Sequence, residues 1–304
     1  MRHVSVLYLE VMTLLQPHPG GLYLDGTLGA GGHTQGLLEA STPDGRVLAF
    51  DRDLTALRQT QARLQAFGER LTCVHGSFAR LGELAPAHGF AQVDGIVLDL
   101  GLSSDQLEQA ERGFSFRFEA PLDMRFDPSQ GVTAVELVNE LPEADLADLL
   151  WRYGEVPHSH RLARLLTANR PILTTTQLAD LIARHSRSRT RLHPATQVFQ
   201  ALRIAVNQEL DALAAGLAAA LTILKPGGRL AVISFHSLED RLVKQFMRTA
   251  SRDCLCPPGQ PICTCGHTAS LQLVTRKAVQ PSAAEVARNP RSRSARLRVA
   301  EKCA

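Results

Sequence analysis

Leu22-Tyr23-Leu24 runs into Asp25 and then into Gly26-Thr27-Leu28-Gly29-Ala30-Gly31-Gly32-His33, four glycines in eight residues. A short apolar run ending in an acid, a glycine-dense loop and a helix-forming segment constrain the fold strongly. An open α/β sheet presents a nucleotide-like ligand in this way, at the carboxyl end of its first strand. Glycine lets backbone N–H groups approach a ligand and adopts positive φ at little cost. The dinucleotide fingerprint Gly-x-Gly-x-x-Gly fails here, because counting from Gly29 puts Thr34 at the last position. An acid at the strand tip, in place of a pyrophosphate cradle, suits a ligand with a cationic, amino-acid-like end. Taken alone, the stretch also reads as a tight turn with surplus glycines.

The alternation continues through the first hundred residues. Val47-Leu48-Ala49-Phe50-Asp51 is a second buried strand ending in an acid. Leu54, Leu57, Leu64 and Phe67 fall at helical spacing. Leu71 to Gly76 reads as a third strand, with Ser77-Phe78 beyond it, and Val93 to Leu100 as a fourth. Strands alternating with helices predict a parallel sheet covered on both faces. The pattern resumes with a helix over Glu209 to Leu224, the turn Lys225-Pro226-Gly227-Gly228, and a strand over Arg229 to Phe235. A helix over Leu238 to Thr249 and strands over Leu271 to Arg276 and Arg296 to Ala300 follow, the last two suited to an antiparallel pair. Between the halves lie helical patterns at Ala134–Asn139, Glu143–Tyr153, His160–Thr167 and Thr176–Arg184. That stretch is too long for a loop in a compact domain. The expected organisation is a discontinuous sheet domain, 1–110 with 209–304, and an inserted helical domain, 111–208.

At 304 residues, 44% hydrophobic and 21% charged, the composition is ordinary for a soluble globular protein. The net charge of +3 says little, but its distribution is uneven. From Trp151 to Val206 nine arginines face only Glu155 and Asp180, and from Arg288 onward five arginines and Lys302 face Glu301. Clustered arginine is the electrostatic footprint of a polyanion binder, though a solvated, ion-paired face has the same composition. No run of about 18 apolar residues appears, so no membrane-spanning helix is expected. Met1 to Leu15 does not read as a signal peptide, and the expected location is the cytoplasm with reduced cysteines.

Strand ends of a parallel sheet converge on one edge. Asp51 is well placed to accept hydrogen bonds from two ribose hydroxyls, Phe78 offers a surface for a purine, and Asp99 closes the fourth strand. Each has a structural alternative: an acid in these places also caps the next helix, and Phe78 also serves as core. Ser234-Phe235-His236-Ser237 lies just past the fifth strand, where His236 could move a proton, contact RNA, or be structural.

In these residues the chain resembles the ribosomal RNA small subunit methyltransferase H family. The shared stretches span nearly its whole length: Asp25–His33, Asp51-Arg52-Asp53, His75–Phe78, Asp99–Ser104 with Gln106, Glu111–Phe116, Pro121–Arg125, His193–Thr196, Phe199–Ile204, Ser234–Arg241 and Asn289-Pro290-Arg291. The resemblance implies a class I S-adenosylmethionine-dependent methyltransferase, an α/β Rossmann-like sheet with an inserted helical domain that recognises RNA. It implies methyl transfer from S-adenosylmethionine to N4 of a cytosine in 16S rRNA of the small ribosomal subunit, and it admits a homodimer. It also implies cofactor contacts at Gly31, Gly32, His33, Asp51, Phe78, Asp99 and Gln106. Gly31 and Gly32 would then approach the methionine part, Asp51 the ribose and Phe78 the adenine. Asp99 is the candidate catalytic residue, orienting the acceptor amine or the cofactor amino group, while Phe114 or Phe116 would either support a displaced base or serve as ordinary packing.

The chain departs from the family pattern at Gln197-Val198, where a basic residue is usual after His-Pro-Ala-Thr, and at Val156-Pro157-His158 in place of a charged run. Cys254-Leu255-Cys256 and Cys263-Thr264-Cys265 could supply four thiolates to zinc. Cys-x-Cys pairs are less typical of zinc sites than Cys-x-x-Cys pairs, so spacing favours a reduced loop and no metal is assigned. Three rival functions carry a discriminating feature each. Asp99-Leu100-Gly101-Leu102 lacks the Pro-Pro-aromatic end of the tetrad typical of DNA amino-methyltransferases. Thr34 disfavours a nicotinamide-dependent oxidoreductase. A non-catalytic ribosome assembly factor that retains the cofactor fold would not need the intact glycine loop and strand-end acids.

Overall fold

The structure is a computed structural model and describes residues 5–186, 193–257, 259–260 and 262–304. The chain divides into two compact units, Met1–Gly101 with Leu210–Ala304, and Leu102–Glu209. The first break falls at 101/102, where the sequence reading has it at 110/111.

The first unit carries β1 (Leu22–Asp25), β2 (Arg46–Asp51), β3 (Leu71–His75) and β4 (Val93–Asp99), with helices α1 (Tyr8–Leu15), α2 (Gly32–Ala40), α3 (Leu54–Arg63) and α4 (Leu81–Ala87). The second unit holds α5 (Ser104–Glu108), α6 (Ala134–Glu140), α7 (Glu143–Gly154), α8 (Ser159–Ala168), α9 (Thr175–His185) and α10 (Ala195–Asn207). The chain returns through α11 (Glu209–Ile223), β5 (Leu224–Ser234), α12 (Ser237–Ala250), β6 (Leu271–Leu273), α13 (Ala283–Arg288) and β7 (Arg296–Lys302). The strand order is β3-β2-β1-β4-β5-β7-β6. The first five strands are parallel, and β7 runs antiparallel to both β5 and β6. This is the α/β arrangement of class I methyltransferases expected from the resemblance.

Period-two alternation explains why both faces are covered, since successive side chains of a strand point to opposite faces. Leu24, Leu48, Phe50, Ile96, Leu98, Leu230 and Val232 pack with Leu81 of α4, Leu217 of α11 and Val243 of α12. Their neighbours in sequence, Tyr23, Val47, Val97, Ala231 and Ile233, form a second core with Val11 of α1 and Leu37 of α2. The turn predicted at Lys225–Gly228 is taken up inside β5 as a bulge, where the register with β4 jumps from Val93↔Leu224 to Gly95↔Arg229. Lys225 Nζ fixes it by donating to both oxygens of Asp94, at 2.9 and 2.8 Å. The helix predicted over Leu54–Phe67 stops at Arg63 and tightens into a 3₁₀ segment, Gln65–Arg70, because Gly68 has φ 56°, ψ −135°.

The second unit has its own core, built by Leu122, Met124, Val138, Leu150, Leu166, Leu178, Val198 and Leu202. Helices α6 and α9 start at complete capping boxes, Thr133 with Glu136 and Thr174 with Gln177. Here the structure chooses between the alternatives for the aromatic pair and for part of the arginines. Phe114 is buried against Phe126, with ring centroids 5.7 Å apart, and Phe116 packs on His193 at 4.7 Å and Phe199 at 5.0 Å. Both are core-building rings, so neither is retained as a support for a displaced base. Arg152 pairs with Asp148, Arg164 with Glu143 and Arg203 with Glu209. Arg170 donates to the carbonyls of Val138 and Leu141. Four of the nine arginines are thus engaged within their own unit, and Arg187, Arg189 and Arg191 lie outside the described residues. Gln197 is exposed on α10 and Val156 is core. Among the described residues, no single helix is long and apolar enough to cross a membrane.

Candidate active site at the carboxyl edge of the sheet

Asp25, Asp51 and Asp99 end β1, β2 and β4 on one edge, as parallel register requires. They do different work. Asp25 is 1% exposed. Its Oδ1 accepts from Thr27 N at 3.0 Å, and its Oδ2 accepts from Thr34 Oγ1 at 2.7 Å. Burial pushes the Asp25 carboxyl up, against the pull of His33 and the hydrogen bonds from Thr34 and Thr27. Thr34, the residue that breaks the dinucleotide fingerprint, is therefore the donor that satisfies a buried acid. Asp25 shapes the loop, and a cationic ligand end must find its partner elsewhere on this edge.

The loop is strapped down on all sides. Leu28 N donates to Phe50 O at 2.8 Å, Gly26 N to Val97 O at 2.9 Å, and Thr60 Oγ1 of α3 to Gly29 O at 2.7 Å. Gly31 caps α2 with φ 66°, and a Cβ there would overlap Thr60 Cγ2; a Cβ on Gly32 would overlap Ser5 Oγ. Both glycines are thus required by packing against α3 and the N-terminal segment, whatever they do for a ligand. Gly31→Ala is expected to lower unfolding free energy by about 1–3 kcal/mol, through the φ > 0 penalty and overpacking. Urea denaturation of the unliganded protein measures it, and an unchanged midpoint would contradict the packing role.

Asp51 carries the loop's other anchor. Its Oδ2 accepts from Gly29 N at 2.7 Å and its Oδ1 from Asp53 N at 2.8 Å. A carboxylate oxygen has two lone-pair sites, so each oxygen keeps one free in a fixed direction. That pattern fits two adjacent hydroxyls. Burial raises the Asp51 carboxyl to about 6, against the two backbone hydrogen bonds. Asp53 next to it is a helix cap, accepting from Thr55 N and Ala56 N at the start of α3.

Asp99 is the unusual member. Its backbone N–H donates to Thr27 Oγ1 at 2.7 Å, tying the end of β4 to the glycine loop. Its Oδ1 is shut from solvent and has no hydrogen-bond partner. The side chain as a whole remains 24% exposed, so a bound group can reach the carboxyl. Burial, then the charges of Asp25 and Glu239, hold its pKa well above the ordinary carboxylate value. His33 Nδ1 lies 3.7 Å from the other oxygen, Oδ2. His33 is buried under Tyr8, its ring 6.4 Å away and nearly parallel, and Nε2 sits 3.1 Å from Val6 O. A carbonyl only accepts, so Nε2 carries the proton there.

Phe78 opens the 3₁₀ turn Phe78–Arg80, capped by Ser77 Oγ accepting from Ala79 N at 3.2 Å. It packs beside the first core, and a Cβ on Gly26 would come 2.9 Å from Phe78 Cβ and one on Gly216 of α11 3.0 Å from Cε2. The two glycines make room for this ring. Gln106 belongs to the second unit, where its Oε1 accepts from Ser103 N at 3.1 Å. His236 caps α12, with Nδ1 accepting from Glu239 N at 3.4 Å and Nε2 3.0 Å from Glu239 Oε1. Glu239 Oε2 in turn accepts from Phe235 N at 2.8 Å. The Nδ1 cap fits the structural reading of His236, while Nε2 is buried and makes no hydrogen bond. Two residue sets were missed by sequence reasoning: the N-terminal segment that holds His33, and α10 in the core of the second unit. For α10 the apolar spacing Val198, Leu202, Val206 is a usable signal.

A basic cavity of about 600 Å³ lies past β5, lined by Arg241 and Lys244 of α12, Arg293, Arg296 and Gln280. Asp240 is also in the lining, engaged by Arg298 Nε at 2.7 Å and Arg296 Nη1 at 3.1 Å. Burial opposes its ionisation, but hydrogen bonds and charge from these arginines hold its pKa below the ordinary value.

Residues 1–303 match the family model described as the MraW methylase family. A relative from Thermomicrobium roseum, named ribosomal RNA small subunit methyltransferase H, is 56% identical over 306 aligned positions, covering 99% of this chain and 94% of its own length. A protein of the same name from Syntrophotalea carbinolica is 50% identical, covering 98% of this chain and 96% of its own. A family model matched over residues 1–303 and relatives 56% and 50% identical over nearly their whole lengths leave one assignment: the chain belongs to the MraW methylase family.

Proposed function

We propose that this protein transfers a methyl group from S-adenosylmethionine to N4 of a cytosine in 16S rRNA of the small ribosomal subunit. The observation that carries the reading is the unpaired Oδ1 of Asp99 beside the strapped loop. A buried acceptor without a partner costs about 1–3 kcal/mol, and an ammonium or amine N–H removes that cost on binding. The residues present fit the cofactor: Asp51 keeps two directed acceptor sites for the ribose hydroxyls, and Phe78 offers a half-buried ring. His33 adjoins Asp99, and Gly31 and Gly32 set the loop's course. The relatives' names supply the small-subunit RNA, and the family resemblance supplies N4 of cytosine.

When bound, S-adenosylmethionine supplies a methyl already activated by its sulfonium. The lone pair of a cytosine amine is delocalised into its ring, so the protein's contribution is orientation and exclusion of water. Asp99 is suited to orient that amine or the cofactor ammonium through the exposed part of its carboxyl, and its raised proton affinity suits it to hold a proton released nearby. Gln106 is a further cofactor contact in this reading. A cytosine in folded RNA has to leave its stack to reach this edge. The helical unit recognises the RNA, and the basic cavity holds its phosphates.

The reading is tested by methyl transfer from labelled S-adenosylmethionine to small subunits from cells lacking the enzyme. Label is expected in their 16S rRNA, and subunits from enzyme-containing cells should accept none; equal labelling of both would overturn it. The paired reversal Lys244→Glu with Arg293→Glu is expected to weaken RNA binding at least 10-fold and to flatten its salt dependence, with S-adenosylhomocysteine affinity unchanged. Filter binding across a salt series checks both.

A further inference from the structure

Residues 251–270 join α12 to β6 without a helix or strand among the described positions. A connection of that length usually needs some device to order it. Its base is closed by the protein: Ser270 N donates to Ala250 O at 2.8 Å, Ala269 N to Asp253 Oδ1 at 3.4 Å, and His267 Nε2 lies 3.1 Å from Thr249 O. No comparable apolar core holds its tip, where Leu255 is 40% and Ile262 75% exposed.

The tip instead gathers four sulfurs. The Sγ atoms of Cys254, Cys256, Cys263 and Cys265 all lie within 4.8 Å of one another. Cys254 and Cys263 are 3.4 Å apart, Cys263 and Cys265 3.6 Å, Cys254 and Cys265 3.8 Å, and Cys256 and Cys263 4.0 Å. A tetrahedron with zinc–sulfur bonds of about 2.3 Å has edges of about 3.8 Å. The four separations bracket that value. All six cysteines are free, and a disulfide needs sulfurs about 2.05 Å apart. Backbone N–H groups also point at the sulfurs, Leu255 N at Cys265 (3.3 Å), Cys256 N at Cys254 (3.4 Å) and Thr264 N at Cys256 (3.4 Å). Such bonds orient thiolate ligands and offset their charge. Gln260 Nε2 braces the turn between the two pairs, donating to Ile262 O at 3.0 Å and Thr264 Oγ1 at 2.9 Å.

We propose that Cys254, Cys256, Cys263 and Cys265 bind one Zn²⁺ as a closed, four-thiolate structural site, each thiol losing its proton as the metal binds. With all four positions filled by sulfur, the ion has no open place for water or substrate, so its task is to order the loop. The one-residue spacers made zinc look untypical from sequence, yet the fold brings the two pairs into tetrahedral contact.

The test uses full-length protein without a histidine tag, purified without chelator. Elemental analysis should find one zinc per chain, absent from Cys254→Ser with Cys263→Ser and retained by Cys73→Ser. Independently of those variants, Co²⁺ added to chelator-treated wild-type protein should give the visible bands of tetrahedral cobalt thiolate at one equivalent. Chelator treatment should add four reactive thiols to those that a thiol reagent finds in the metal-loaded native protein. Metal-free folded protein that gives no cobalt bands, or zinc retained by the double serine variant, would overturn the proposal.

Discussion

Asp99→Asn is expected to lower the rate of methyl transfer by about 100-fold or more while leaving the fold intact, the scale of losing a positioned acid–base group. The amide matches the carboxyl in shape, so packing of β4 against β1 and β5 is kept. What changes is the carboxyl itself, which keeps a reachable, 24% exposed surface and an Oδ1 without a hydrogen-bond partner. The two candidate roles separate kinetically. If Asp99 holds the cofactor ammonium, Kd for S-adenosylhomocysteine rises in parallel with the loss of activity; if it orients the acceptor amine, kcat falls with Kd unchanged. A variant as active as the wild type would remove Asp99 from the site altogether.

The same substitution has a signature in stability. Burial raises the carboxyls of Asp51, from 3.8 to about 6, and of Asp99 well above the ordinary value. The folded chain therefore holds protons that the unfolded chain has released, and stability falls as the pH rises through each window. Unliganded wild-type protein should gain stability from these two groups when the pH drops from about 7 to about 5. Asp99→Asn removes one ionisable group, so its Tm should exceed the wild-type value at pH 8 and converge with it at lower pH. Calorimetry across this range checks the sign.

Asp51→Ala is expected to raise Kd for S-adenosylhomocysteine about 100-fold, the scale of losing two hydrogen bonds to a charged acceptor. The effect has two sources. The ribose hydroxyls lose their acceptors, and Gly29 N and Asp53 N lose the carboxylate that fixes the loop and the start of α3. Asp51→Asn separates them: its amide oxygen serves one backbone N–H, while the NH₂ group faces the other donor. Titration calorimetry on both variants measures the loss, and wild-type affinity in either would refute the ribose assignment.

The sheet was legible because its strands are apolar runs closed by acids, and the parallel register follows from their alternation with helices. The antiparallel end was legible from Arg296–Ala300, whose alternate residues Leu297 and Val299 are buried. The division of labour among the acids was not. Asp25, Asp51 and Asp99 look alike as strand-end residues, and only the placement of Thr27, Thr34 and the Gly29 and Asp53 amides shows that one is satisfied, one half-satisfied and one left open. Arginine content left two readings open for a related reason. Counting charges ignores their local partners, and Arg170 and Arg203 are engaged inside the helical unit while Lys244 and Arg293 line the cavity past β5. For Phe114 and Phe116 base support and ordinary packing stayed open from sequence, because their packing partners Phe126, His193 and Phe199 lie apart from them along the chain.

The most direct measurement digests 16S rRNA after methylation by the purified protein with labelled S-adenosylmethionine and identifies the labelled nucleoside by mass spectrometry. Label in a cytidine methylated at N4, lost with Asp99→Asn, is the expected result. Label at a ring carbon, on another base or only in DNA would contradict it.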